Sequence, residues 1–474
     1  MRSYTKRRRF ASFRPARNSA IGLVGIILVG TFLLALPISR TGAPAWSDAT
    51  AVTAGWHFAG GAPLSVAFFT AVSATTVTGL IVVDTATYWS HFGQGVLCIL
   101  FEFGGIGTMT IAALLAIMVA KRLNLRQRID VATTTGVIST AEIRHVARRI
   151  VNYSLLCQLV FAVPIVAALM YHGEPPKRAL KNGVFIAISA FNNAGFAPYT
   201  DNLTAHAILP LITVPVCLLI VIGGIGFPVI LELRKAFFSS LRQRHPHIPF
   251  RYRLNTKLMI FGSIALIIVG WVLTALSEWN NPKTIGHYTV AQKLLTTLFA
   301  SITPRTAGFN AMDVAGQSDV TWLITDVLMF IGGGPAGTAG GIKVTTFLII
   351  FFIIVTEVRM GRAVQMFDSR IGRSTQRQAI TVFGLQTTFI VLATGAMLAL
   401  TPYGLDRVLF EVVSAVNTVG LSTGITQFLP ISAQMVICVL MFFGRLGPVT
   451  IASIIAVKPA PRLYEAPKER PLIG

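Results

Sequence analysis

The sequence predicts an all-α integral membrane protein. Four tandem span, re-entrant loop, span repeats are expected to supply eight transmembrane helices around one pseudo-fourfold pore. Three observations lead there. The first is composition: of 474 residues, 53% are hydrophobic and 12% charged, and the mean hydropathy is +0.68. The second is an internal period. The run Thr76-Val77-Thr78-Gly79-Leu80 returns as Asn192-Asn193-Ala194-Gly195-Phe196, as Arg305-Thr306-Ala307-Gly308-Phe309 and as Asn417-Thr418-Val419-Gly420-Leu421. The intervals between its glycines are nearly equal, at 195−79 = 116, 308−195 = 113 and 420−308 = 112. The third is that basic residues gather at the junctions between these repeats rather than on one domain.

Each glycine run follows an apolar span and an amphipathic stretch and precedes a second apolar span. A glycine with small or hydroxylated neighbours lets the backbone turn its carbonyls toward one axis, where they replace the hydration shell of a cation. The candidate ion-binding residues are therefore Val77, Thr78 and Gly79; Asn193, Ala194 and Gly195; Thr306, Ala307 and Gly308; and Thr418, Val419 and Gly420. One such run alone is more often a helix-capping turn; four in register form a ring.

The formal charge of +22 could suggest a nucleic-acid partner, but the distribution of the basic residues argues against one. Clusters at Lys6 to Arg17, Lys121 to Arg149, Arg234 to Lys257, Arg359 to Arg377 and Lys458 to Arg470 mark cytoplasmic segments. Both termini and every inter-repeat junction are expected inside, in a multi-pass protein of the cell membrane. Cys98, Cys157, Cys217 and Cys438 fall within apolar spans and leave no extracellular disulfide framework to read. The basic start followed by Ile21 to Pro37 is longer than a signal-peptide core and occupies a first-span position, so it is expected to be retained.

Residues 1–18 form a basic tail, either a topology signal or a segment lying against anionic lipid headgroups. Repeat one, 19–125, has spans near Ala20 to Ile38 and Phe92 to Ala120, with Pro63 to Ala74 leading into Gly79. Gly104-Gly105-Ile106-Gly107 in its second span favours close helix contact or local unwinding, and Glu102 beside it serves either an ion pathway or structural pairing. Repeat two, 140–235, has spans near Ile150 to Tyr171 and Ala205 to Leu231, with Leu180 to Phe191 re-entrant. Its Gly223-Gly224-Ile225-Gly226 run extends the symmetry beyond the loops, at 223−195 = 28 against 104−79 = 25. Repeat four, 375–458, spans Ile380 to Leu400, re-enters over Leu405 to Ala415 and ends with Ala433 to Val457; residues 459–474 form a cytoplasmic tail.

Repeat three, 254–360, differs. After Lys257 to Leu276 and Gln292 to Ile302, its second apolar region, Val320 to Val355, contains Gly332, Gly333, Gly334, Pro335, Ala336, Gly337, Thr338, Ala339, Gly340 and Gly341, then Ile342 and Lys343. No straight helix survives that composition. A phosphate-binding loop is excluded because Ile342 separates Gly341 from Lys343 and no soluble βαβ unit surrounds it. A flexible segment at this level is a gate candidate. Arg445, where repeats one and two have Gly105 and Gly224, joins it as a mid-span cation. The equal offsets 332−308 = 24 and 444−420 = 24 place the two at similar depth.

This arrangement resembles the Trk/Ktr/HKT superfamily of potassium transporters over nearly the whole chain. The resemblance rests on Thr-Val-Thr-Gly79-Leu, Phe-Asn-Asn-Ala-Gly195-Phe, Thr-Pro-Arg-Thr-Ala-Gly308-Phe-Asn and Asn-Thr-Val-Gly420-Leu-Ser, with the 332–343 run and Arg445. A single span before Gly79 resembles the KtrB-type membrane subunit more than Trk-type subunits, which carry an extra helix pair. The resemblance implies potassium uptake with K+ held at the filter, often sodium-dependent, by a homodimer under a cytoplasmic ring of KtrA-like nucleotide-binding subunits. It implies no cofactor and no transition metal on this chain; K+ is cargo and Na+ a coupling ion. Glycine rather than serine at position 79 favours potassium over sodium on the pattern of plant relatives.

Two other functions are compatible with the residues. One is a less selective Na+/K+ conductance on the same scaffold. The other, an intramembrane enzyme using Glu102, Glu411 and the histidines, lacks metal-ligand spacing.

Overall fold

The computed structural model describes residues 14–42, 60–124, 140–242, 252–361 and 363–447. The described residues are mostly helical. Repeat one supplies α1 (Arg14–Ala35), the short α2 (Leu64–Thr76) and α3 (His91–Asn124). Repeat two supplies α4 (Thr140–Tyr171), α5 (Pro176–Asn192), α6 (Pro210–Ile225) and α7 (Phe227–Arg242). Repeat three has α8 (Leu254–Glu278), α9 (Val290–Ile302), α10 (Asp319–Phe330) and α11 (Val344–Val358), and repeat four α12 (Arg373–Leu400), α13 (Leu405–Val416) and α14 (Ile431–Leu446). A two-residue hairpin, β1 (Gln365–Met366) with β2 (Ser369–Arg370), precedes α12 and is tied to α8 by Lys257 and Asp368 at 3.0 Å.

Among the described residues, Val146–Tyr171 of α4, together with α8 and α12, are long and apolar enough to cross a membrane. The pair α6 and α7 passes the same test together but bends by 105°. The bend sits at Gly226, whose φ of +96° is outside the helical range, and Pro228 follows in the first turn of α7, where a missing N–H costs nothing. The second span of repeat two is therefore a broken one, beginning at Pro210 rather than Ala205. By contrast, Gly104-Gly105-Ile106-Gly107 does not unwind, and α3 runs through it. α14 stops at Leu446, capped by Gly447 at φ +80°, so Arg445 stands in the last turn of a helix, where a cation suits the helix dipole. Residues 448–457, on which the expected depth of Arg445 depended, lie outside the described residues, as do the C-terminal tail and residues 1–13; residues 14–18 of the expected N-terminal tail are instead the start of α1.

The short helices α2, α5, α9 and α13 are the most buried elements. Their starts are specified locally. Thr289 and Gln292 form a reciprocal capping box on α9, Pro176 opens α5, and Asp406 sits in the first turn of α13. The apolar core has two large halves. One is built mainly by α1, α2, α3, α13 and α14, from repeats one and four; the other by α4, α5, α6 and α9, from repeats two and three. The four cysteines are free thiols within these helices.

Candidate functional site

The four short helices end alike. In three repeats the amide just before the loop glycine donates to a carbonyl of the last helical turn: Thr78 to Ser73 at 2.9 Å, Ala194 to Ser189 at 2.8 Å, Val419 to Ser414 at 2.8 Å. In repeat three the helix ends earlier relative to its glycine, at Ile302, and Ala307 donates to the cap residue Thr303 at 2.9 Å. This is a Schellman-type stop, which needs a left-handed residue. Val77, Asn193, Thr306 and Thr418 take that conformation, with φ of 56°, 58°, 66° and 51°. Two residues later Gly79, Gly195, Gly308 and Gly420 are positive again, at 101°, 73°, 72° and 97°. The residues between them are not. Alternating handedness turns successive carbonyls to the same side, whereas a uniform strand would alternate them. A left-handed β-branched residue costs roughly 1–2 kcal/mol, so three such residues persist only because the surroundings over-determine them.

The loops close into a ring in chain order. A β-carbon on Gly79 would lie 2.6 Å from the Ala194 carbonyl oxygen, and one on Gly195 2.9 Å from that of Ala307. On Gly308 it would overlap the Val419 oxygen, and on Gly420 the Thr78 oxygen, which returns to the first repeat. The four glycines, with the carbonyls of Thr78, Ala194, Ala307 and Val419, thus lie against one another in a closed circuit. The C-terminal ends of four helices point their negative dipole ends at it, which favours a cation.

A set of hydroxyls, not anticipated from sequence, braces each loop. The Gly79 amide donates to Ser73 Oγ at 3.1 Å and the Gly420 amide to Ser414 Oγ at 3.0 Å. Ser189 Oγ donates to the Phe196 carbonyl at 2.7 Å, and Thr303 Oγ1 to that of Phe309 at 2.7 Å. Outside the ring opens a cavity of about 210 Å³ whose wall includes Gly79, Gly195, Gly420, Asn202, Asn310 and Ser422. Tyr199, also on that wall, donates to Glu174 at 2.8 Å; burial and that carboxylate push its phenol above the ordinary range, so it stays a donor.

On the other side of the ring, Gly104, Gly223 and Gly444 each approach a carbonyl at the end of their own short helix, those of Thr75, Phe191 and Val416, closely enough that a β-carbon would overlap it. The 332–343 segment fills the same level. Gly334 donates to the Gly224 carbonyl at 2.7 Å, Thr338 to that of Gly223 at 3.1 Å, and the Ala336 carbonyl accepts from Phe227 across the break in repeat two at 3.1 Å. Gly332 and Ile342 close the base of the segment at 2.8 Å, followed by Val344 to Gly333 at 3.1 Å, and Gly340 packs on Thr418. Arg445 joins the segment to another repeat: one guanidinium nitrogen donates to the Thr338 carbonyl and the other to that of Gly104 at 2.6 Å. Lys343 turns back onto the Ala339 and Gly340 carbonyls, at 2.7 and 3.1 Å. The structure thus brings Arg445, Lys343 and the glycine-rich segment together under the ring, and the member nearest the ring is Gly340, not Gly332.

Of the carboxylates considered from sequence, Glu411 is wholly buried and accepts from Ser422 Oγ at 2.6 Å, Thr423 N at 2.9 Å, Thr423 Oγ1 at 3.2 Å and Thr426 Oγ1 at 2.6 Å. It holds the irregular segment just beyond Gly420. Glu102 has the amides of Gln158 and Asn192 beside it, in a different part of the fold. Among the described residues no group of three or more His, Cys, Asp or Glu side chains could hold a metal ion. We expect Glu411→Ala to destabilise the protein by about 1–3 kcal/mol through the stranded Thr423 amide alone. The measurement is the thermal midpoint of the detergent-solubilised chain; an unchanged midpoint would show that the segment holds itself.

Backbone loops from four parts of one apolar, helical chain, meeting on a shared axis with helix C-termini behind them, define a membrane cation transporter rather than an enzyme. The comparisons agree. Residues 53–465 match the TrkH family model, described as cation transport protein, and the chain belongs to that family. It is 33% identical over 447 residues to the Ktr system potassium uptake protein B of Bacillus subtilis, covering 93% of each chain. It is 32% identical to the protein of the same name from Vibrio alginolyticus, covering 96% of this chain and 94% of that one. It is also 30% identical to the potassium/sodium uptake protein NtpJ of Enterococcus hirae, over 97% of both. The crystal structure of the potassium transporter TrkH from Vibrio parahaemolyticus shares the fold at a TM-score of 0.65 and 18% identity, covering 84% of this chain and 79% of that one.

Proposed function

We propose that the chain is the ion-translocating subunit of a Ktr-type potassium uptake system, with the four glycine loops acting as one selectivity filter in a four-repeat, eight-span body. The observation that carries this is the chain-order ring of Gly79, Gly195, Gly308 and Gly420. Carbonyls on one axis, backed by helix dipoles, suit a large monovalent cation that sheds its water at low cost. The broken helices of repeats two and three support a gate, because irregular backbone at membrane depth is tolerated where it lines a water-filled path. In this reading the 332–343 segment with Lys343 and Arg445 is that gate. Na+ is the coupling ion, the termini are cytoplasmic, and the chain works as a homodimer under a KtrA-like nucleotide-binding ring, with no cofactor of its own.

The test is uptake in a cell deficient in potassium transport, with and without a co-expressed KtrA-like subunit. Growth should return at limiting K+, most strongly with the subunit. No rescue by a chain shown to reach the membrane would overturn the reading. The four loops differ, Val77-Thr78 in one and Asn193-Ala194 in the next, which supports a second reading, a conductance that accepts Na+ as well. Competition by Na+ in the same cells separates the two.

A further inference from the structure

The loop beyond the repeat-two glycine reaches back to the ring. Asn202 donates from Nδ2 to the carbonyl oxygen of Gly195 at 3.0 Å, while its Oδ1 accepts from the Asn310 N–H at 3.3 Å. Asn310 lies just past Phe309 and the next ring glycine, Gly308, so one amide ties the filter carbonyl of repeat two to the backbone of repeat three. The backbone of Asn202 is left-handed, at φ 59°, and its own N–H is bonded to the Tyr199 carbonyl at 3.1 Å. Asparagine tolerates that conformation better than most residues. Both ends of the side chain are matched, donor to carbonyl and acceptor to N–H, so its orientation is unambiguous. Among the described residues, no hydrogen-bond donor reaches the carbonyls of Gly79, Gly308 or Gly420.

We propose that Asn202 is a specificity-determining residue: its amide fixes the direction of the Gly195 carbonyl and stops that loop from closing on a smaller ion. The proposal rests on the ring being the filter. A carbonyl oxygen has two lone pairs, so the bond to Asn202 leaves one free for a cation while weakening the field it offers. Na+ needs shorter oxygen contacts than K+ to replace its hydration, and a carbonyl held by the protein cannot move in to supply them. The tie to Asn310 carries the same restraint to repeat three. With the amide gone, the Gly195 carbonyl relaxes toward whichever ion is present, and the smaller one gains more.

The experiment compares Asn202→Gly, which removes the side chain but keeps the left-handed backbone, with Asn202→Asp, which keeps the acceptor for Asn310 but cannot donate to Gly195. Each is expressed as the full chain, and inhibition of K+ flux by Na+ is measured in membrane vesicles. Loss of one hydrogen bond predicts a roughly fivefold fall in K+ over Na+ discrimination in both. An assembled variant of either kind with the parent's discrimination would overturn the proposal. Gly79→Ser, measured alongside, separates the two failures: if it loses discrimination while the Asn202 variants do not, only Asn202 is excluded, and if none of them changes, the filter reading falls as well.

Discussion

Gly79→Ser loses at least tenfold in discrimination between K+ and Na+, and much of its flux. At φ +101° any L side chain is strained by about 1–2 kcal/mol, already close to tenfold in an equilibrium. The new β-carbon would also sit 2.6 Å from the Ala194 carbonyl oxygen and 3.1 Å from the Gly195 α-carbon, so those atoms must move. Both belong to the next loop, and a change in repeat one therefore distorts the backbone of repeat two. The same geometry ranks the four positions. Gly420 and Gly308 face carbonyls that a β-carbon would overlap, whereas Gly195 has 2.9 Å to Ala307. Serine should abolish flux at 420 and 308, cut it at 79 and do least at 195. Isotope flux with Na+ competition, on variants matched for membrane abundance, tests the order; equal effects at all four would mean that the glycines serve folding rather than ion contact.

Arg445→Ala raises the maximal K+ flux and leaves the apparent affinity near that of the parent chain. Arg445 is a fixed cation below the ring, held by the Thr338 and Gly104 carbonyls. A unit charge ~5 Å from a passing cation at an effective dielectric of about 20 opposes it by ~3 kcal/mol, so even partial relief gives a severalfold to tenfold gain in rate. Lys343 remains, bonded to the Ala339 and Gly340 carbonyls. Removing residues 337–340 should also raise flux, since it deletes the Thr338 carbonyl that holds Arg445. That deletion removes Gly340 from its seat on Thr418, so it should shift affinity as well, whereas the arginine variant should not. A fall in flux for both variants, in protein that still assembles, would make the segment a structural hinge.

Much of this architecture is readable from the sequence because it rests on local chemistry repeated four times. The glycines announce themselves by period, and the break in repeat three by a composition that no helix tolerates. The left-handed residues two positions earlier do not, since valine and threonine occupy three of those sites and only the closed ring makes that conformation worthwhile. The bracing hydroxyls stand six positions before the glycine in three repeats, as in 79−73, but Thr303 stands 308−303 = 5 before, which hides the pattern. The bend at Gly226 depends on Phe227 finding the Ala336 carbonyl, which belongs to the following repeat. Asn202 reads as an ordinary loop residue for a related reason: its tie to Asn310 crosses to the following repeat, and its nearer bond to Gly195 forms only once that loop has turned. Contacts of that range are set by the assembled fold, and nothing within a repeat specifies them.

The ring's closing contact has a consequence for how the protein is made. Gly420 meets Thr78 and Gly79 across a sequence interval of 420−79 = 341, so the first loop leaves the ribosome long before its last neighbour exists. At roughly 5–20 residues per second, that wait is on the order of 20–70 s. During it the nascent chain holds at most three quarters of a ring. A chain broken off anywhere before repeat four lacks the Gly420 loop, so its first and third loops have nothing between them to close on.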